Sequence, residues 1–96
     1  MIQPAVYIMA NKKNGTIYIG VTSNLIKRVY EHKHHSVKCF TAEYDCTLLV
    51  FYERFETMEM AITKEKQMKK WRRIKKIMLI EAFNKDWQDL YESILG

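Results

Sequence analysis

Two short β-branched and aromatic runs, separated by a polar stretch, constrain this chain more than any other feature. Val6-Tyr7-Ile8-Met9 and Thr16-Ile17-Tyr18-Ile19 suit a pleated, half-buried surface. Between them Asn11-Lys12-Lys13-Asn14-Gly15 carries turn chemistry, because Asn and Gly tolerate positive φ. The pattern predicts an antiparallel hairpin. A two-residue turn at Lys12-Lys13 sets Tyr7 directly opposite Tyr18, and a turn at Asn14-Gly15 shifts the pairing by two residues on each side. Side chains alternate with period two, so either turn leaves both phenols on one face. Ile8, Ile17 and Ile19 then take the other face and are available to a core. By themselves, the phenols read as a cross-strand aromatic pair worth ~0.2–1 kcal/mol of sheet stability.

Gly20 is read as closing the second strand, with Ser23 or Asn24 capping a helix from Leu25 to His34. A polar stretch from His35 to Asp45 has no period and reads as a loop. Thr47-Leu48-Leu49-Val50-Phe51-Tyr52 is a third strand, apolar enough to lie centrally in a small sheet. Thr57 caps a helix from Met58 to about Lys70, with an inward stripe of Met58, Ala61, Ile62, Glu65 and Met68. A further helix covers Arg72 to Phe83, Asn84 breaks it, and Asp86 to Ile94 forms a short terminal helix. The order ββαβααα predicts an α+β domain: a small three-stranded mixed sheet, made of the hairpin and a central third strand, flanked by helices. At 96 residues the chain holds one such domain, spanning 1–96.

An apolar fraction of 48% argues against disorder. No apolar run approaches the ~20 residues of a membrane helix, and Met1-Ile2-Gln3-Pro4 lacks the features of a signal peptide. A cytoplasmic setting is the expectation. Cys39 and Cys46 are too far apart for a CxxC motif, although His34 and His35 lie close by. Structural zinc normally takes four ligands in tight pairs, so reduced thiols are the better reading. The net charge is +5, and Lys64, Lys66, Lys69, Lys70, Arg72, Arg73, Lys75 and Lys76 make up half of the 16 Lys and Arg. A cluster of this kind favours a polyanion through counterion release, or else forms a solvated helix face.

Three further positions are candidates for chemistry. Arg28 and His32 are four apart on one helix and project from the same side. A guanidinium grips a phosphate with two oxygens, and a neighbouring imidazole shuttles a proton. Glu65 falls inside an apolar stripe, where a lone carboxylate is retained mainly when paired or bound to a cation. Its partner is either a metal or Lys69 at i+4. Asn84, at a helix break, is a cap or a substrate contact.

Taken in order, these residues resemble the GIY-YIG nuclease superfamily, and in particular its small stand-alone bacterial members. Ala5-Val6-Tyr7 stands for the first motif half, with Ala in place of the name-giving glycine, and Tyr18-Ile19-Gly20 is the second half intact. Val21-Thr22-Ser23-Asn24-Leu25 then leads to Arg28 and His32 at the family's spacing. Phe51 to Phe55, Ala61 to Trp71 with Glu65-Lys66-Gln67, and the tail through Trp87 extend the likeness over nearly the whole chain. A departure is the lack of glycine from Lys33 to Cys39.

The resemblance implies a site of Tyr7, Tyr18, Arg28, His32, Glu65 and Asn84, with one divalent metal, Mg2+ or Mn2+, on Glu65. Tyr18 acts as or assists the general base, and Arg28 stabilises the transition state. Tyr7 positions the nucleophile or phosphate, His32 supports the proton chain, and Asn84 helps complete the site. A phenol has a reference pKa near ~10, so its surroundings must favour proton loss. The expected function is a metal-dependent DNA endonuclease, structure-selective or weakly sequence-specific, with branched or damaged DNA among its substrates. Lys64, Lys66, Lys69, Lys70, Arg72 and Arg73 would hold the phosphate backbone. No small-molecule cofactor and no membrane partner are expected, and the chain would be a monomer or weak oligomer. A nucleic-acid-binding module without catalysis, or a basic face docking an acidic protein, are the alternatives.

Overall fold

The computed structural model describes residues 3–34 and 45–96. The strand β1 (Ala5–Ala10) is buried along its whole length. A strand without one charged side chain needs cover on both faces and both edges, and β1 has all of it. Its neighbours are β2 (Ile17–Thr22) and β3 (Leu48–Arg54), in the order β2-β1-β3, and both pairings are antiparallel. The sheet is therefore antiparallel rather than mixed, and the third strand lies at an edge rather than the centre. β3 ends in Tyr52-Glu53-Arg54, whose charged residues are exposed. β1 carries no such residues, which is why it takes the middle place.

The helices are α1 (Leu25–Lys33), α2 (Met58–Lys69), α3 (Arg73–Phe83) and α4 (Tyr91–Leu95), so among the described residues the order is ββαβααα. Alternation along β1 splits the core in two. Val6, Ile8 and Ala10 pack with Ile19, with Ala61 and Met68 of α2, and with Ile80 of α3. Ala5, Tyr7 and Met9 pack with Leu25 and Val29 of α1, and with Ile94 of α4. Helices thus cover both faces of the sheet. No described helix is long and apolar enough to cross a membrane.

Local signals explain the ends of these elements. Asn24 caps α1 by accepting from the Lys27 amide at 3.2 Å, and Thr57 caps α2 by accepting from the Met60 amide at 3.2 Å. The hairpin register pairs Met9 with Tyr18 and Tyr7 with Gly20. Both two-residue turns are thereby replaced by a longer loop, closed by Asn11 N–H to Thr16 O at 3.2 Å and Gly15 N–H to Lys12 O at 3.0 Å. Within it Asn14, not Gly15, adopts positive φ, at 58°. The two rings nevertheless approach each other on the side of the sheet that α1 covers. Gly20 lies inside β2 rather than at its end.

The expected terminal helix is shorter than its pattern suggested, beginning at Tyr91 rather than Asp86. Trp87 is buried with φ of 56°, a left-handed conformation that a helix does not accommodate. Asp89 accepts from the amides of Leu49 and Tyr91, each at 3.1 Å, and pairs with Lys33 of α1. Leu90 N–H donates to Leu49 O at 2.8 Å, so the tail covers the outer edge of β3. The His35–Asp45 loop and the glycine-poor stretch after α1 lie in or run into residues outside those described.

Candidate active site

Three aromatic rings meet on the α1 face of the hairpin. Tyr7 is fully buried, and its hydroxyl lies 2.9 Å from Nε2 of His32. Ring centroids are 5.5 Å apart for Tyr7 and His32, 5.6 Å for Tyr18 and His32, and 6.4 Å for the two tyrosines. Tyr18 is half-buried, as befits a residue on the edge strand β2.

Gly20 makes this packing possible. It is the direct partner of Tyr7, and a Cβ there would sit 2.4 Å from the tyrosine hydroxyl oxygen and 2.5 Å from Cζ. The Tyr7 ring lies across the strand where a side chain would otherwise stand, and this directs its hydroxyl to α1. Sequence reading missed this role, although a glycine within a β-branched run is the signal for close approach. His32 follows Leu25 and Val29 along the buried stripe of α1. Burial holds its pKa below the usual 6.5, the Arg28 charge lowers it further, and Glu31 opposes the shift. At neutral pH the ring is uncharged, and in one tautomer Nε2 accepts the Tyr7 proton.

Arg28 lies one turn before His32 at the edge of this cluster, with its side chain 42% exposed and its Nε 3.3 Å from the Glu31 carboxylate. It lines a concavity of about 270 Å³ with Thr22, Asn24, Lys27 and Glu31. The guanidinium therefore faces solvent beside the rings, where an incoming phosphate can replace the exposed ion pair.

Glu65 comes from the other layer. Its helix packs on the Val6 and Ile8 face, opposite α1. The carboxylate pairs with Lys69 at 2.8 Å, the i+4 partner foreseen from the sequence, with side chains 13% and 51% exposed. An i,i+4 pair with this exposure contributes about 0.3–0.5 kcal/mol, so it is easily exchanged. The two layers share the outer edge of β2. There Lys69 lines a concavity of about 340 Å³ with Tyr18, Ile17, Ile19 and Lys76.

Asn84 is occupied elsewhere. Its amide donates to Val50 O at 3.2 Å and Gln88 O at 2.7 Å, and its oxygen accepts from the Gln88 amide at 3.1 Å. Val50 is the residue at which the β1–β3 register slips, so Asn84 satisfies a carbonyl beside a bulge. Its place in the fold is that of a buried cap.

The expected phosphate-binding cations divide in the same way. Arg73 donates through Nη2 to the carbonyls of Asn14 and Gly15, fastening α3 to the hairpin loop. Lys64 and Lys75 stand over the Trp71 ring at 5.4 and 4.2 Å. Lys66, Lys70 and Arg72 are exposed. Cys46 is buried with its thiol 3.7 Å from Thr16 O, and the other candidate zinc ligands Cys39 and His35 lie outside the described residues.

The chain matches the family of the GIY-YIG catalytic domain over residues 3–78, a stretch that includes every candidate residue but Asn84. A UPF0213 protein of Staphylococcus saprophyticus subsp. saprophyticus is 31% identical over 68 residues, covering 71% of this chain and 83% of the relative. No solved structure matches. The match spans the hairpin whose two tyrosines give the motif its letters, and the chain belongs to the GIY-YIG catalytic domain family.

Proposed function

We propose that this protein is a divalent-metal-dependent endonuclease that hydrolyses phosphodiester bonds in DNA, with weak sequence specificity. The observation that carries the reading is the contact of the Tyr7 hydroxyl with a buried, uncharged His32, beside Tyr18 and the exposed guanidinium of Arg28. Family membership makes a nucleic acid the substrate class.

In hydrolysis the oxygen of water forms a bond to phosphorus, the ester P–O bond breaks, and the leaving alkoxide takes up a proton. Tyr18 acts as the base in its phenolate form, taking the proton of the attacking water to become the neutral phenol, and a solvent water protonates the leaving alkoxide. The Tyr7–His32 pair holds this ring cluster in place beside Tyr18. Arg28 supplies two donors to the oxygens on which charge develops, a contribution of the kind that accounts for ~10²–10³ in rate. Glu65 offers one hard oxygen ligand, and no group of three or more His, Cys, Asp or Glu converges among the described residues. That donor set suits a magnesium-type ion, which takes one or two carboxylates and fills its shell with water and phosphate oxygens. Such an ion at Glu65, displacing Lys69, would polarise the phosphate and help neutralise the leaving oxygen.

The test is nicking of supercoiled plasmid with Mg2+ or Mn2+. Arg28→Ala, Tyr18→Phe and Glu65→Ala should each slow it by about 100-fold or more, with melting temperatures close to wild type. Wild-type protein that binds DNA but leaves it intact with either metal would favour the module without catalysis.

A further inference from the structure

The candidate site accounts for the reacting phosphate but leaves open where the rest of the nucleic-acid strand lies. Eight cations between Lys64 and Lys76 compete for that role, and the fold separates them. Arg73 is bonded to the hairpin loop, and Lys64 and Lys75 stand over Trp71. Lys69 and Lys76, on two successive helices, line the concavity that also contains Tyr18.

We propose that this concavity, on the outer edge of β2, is the subsite for the phosphodiester next to the one that is cut. The inference rests on the nuclease reading and assigns its substrate track. Lys69 and Lys76 supply ammonium groups to a phosphate, for which a lysine serves as a mobile point charge. Ile17 and Ile19 provide an apolar floor for the adjoining sugar, and Tyr18 joins this subsite to the reacting centre. The subsite lies where the layer carrying Glu65 meets the strand carrying Tyr18, so a strand seated here passes between the two halves of the site. Lys69 is held by Glu65 in a 2.8 Å ion pair and would be free for the phosphate were that carboxylate to hold a metal. Lys76 is the sharper test because its charge is not paired with Glu65.

Affinity for a fluorescent DNA duplex, measured against salt in Ca2+ to prevent turnover, tests the assignment alongside steady-state cleavage in Mg2+. Removing the cation from one neutralised phosphate should reduce the slope of log affinity against log salt by about 0.9. Lys69→Gln/Lys76→Gln, which strips the one subsite phosphate of both ammonium groups, is expected to lower the slope by about one such step and Lys76→Gln alone by part of it, with KM raised several-fold. Arg54→Gln/Lys85→Gln removes the same charge from the β3 side and should leave slope and KM near wild type. Equal reductions in the two double variants would overturn the subsite in favour of diffuse charge attraction. A wild-type slope in both, with cleavage intact, would place the strand elsewhere and leave the nuclease reading standing. No binding or cleavage by wild type would remove that reading itself, and the subsite with it.

Discussion

A single hydrogen atom on Gly20 decides how the buried tyrosine lies. Replacing it by a methyl group in Gly20→Ala puts Cβ inside the contact distance of the Tyr7 ring, which is enclosed on its other sides. Overpacking of this kind costs about 1–3 kcal/mol. The variant should lose stability by that amount, melt at a lower temperature, and nick plasmid poorly even when fully folded, because the Tyr7 hydroxyl no longer meets His32. Normal nicking by folded Gly20→Ala would show that the contact is dispensable. His32 itself gives a pH signature. Its folded pKa lies below the unfolded 6.5, so the unfolded chain takes up the proton first as pH falls. Stability from this group is fully present above pH 6.5 and is lost as pH drops through the folded value. Melting curves taken from neutral pH downwards should show that loss, and His32→Gln should flatten it. In Arg28→Gln an NMR titration should find the His32 pKa raised, since one cause of its depression is gone.

At the scale of elements, the two strands and the helix caps were legible because each depends on neighbours in sequence. Asn24 and Thr57 cap as their chemistry predicts, and the hairpin forms despite a loop of unforeseen length. The tail departs from its pattern because Asp86 to Ile94 has helical spacing, while its contacts with Leu49 and Val50 are long-range. Asn84 belongs to that set. Its three side-chain hydrogen bonds, one to Val50 O at the bulge in β3 and two with the backbone of Gln88, tie the end of α3 to β3 and the tail, so Asn84→Ala should cost about 1–3 kcal/mol through buried groups left unsatisfied. Cleavage per folded molecule should stay close to wild type. A large fall in kcat with an unchanged melting temperature would instead return Asn84 to the chemistry.

Across the whole molecule, the proposed site draws on two layers, one on each face of the sheet. The ring cluster and Arg28 belong to the α1 face, and Glu65 to the α2 face. Lys69 pairs with Glu65 within the fold, so the carboxylate keeps a partner when no metal is bound. Removing the metal with a chelator should therefore abolish nicking while moving the melting temperature by no more than ~1–2 °C, unlike a structural metal centre, which contributes folding energy outright. A drop of many degrees would make the metal part of the fold.

The sequence by itself determined the strands, most of the helix segments, the placing of Tyr7 and Tyr18 on one face of a hairpin, and the family, because these follow from alternation, capping chemistry and motif spacing. Tertiary structure alone decided that β1 takes the centre, that Gly20 makes room for Tyr7, that Asn84 bonds Val50 and Gln88, and that Arg73 bonds the hairpin loop. It also set Lys69 and Lys76, out of a run of similar cations, beside Tyr18. Those outcomes depend on which surfaces meet across the sheet, and residues distant in the chain carry no local pattern that records it.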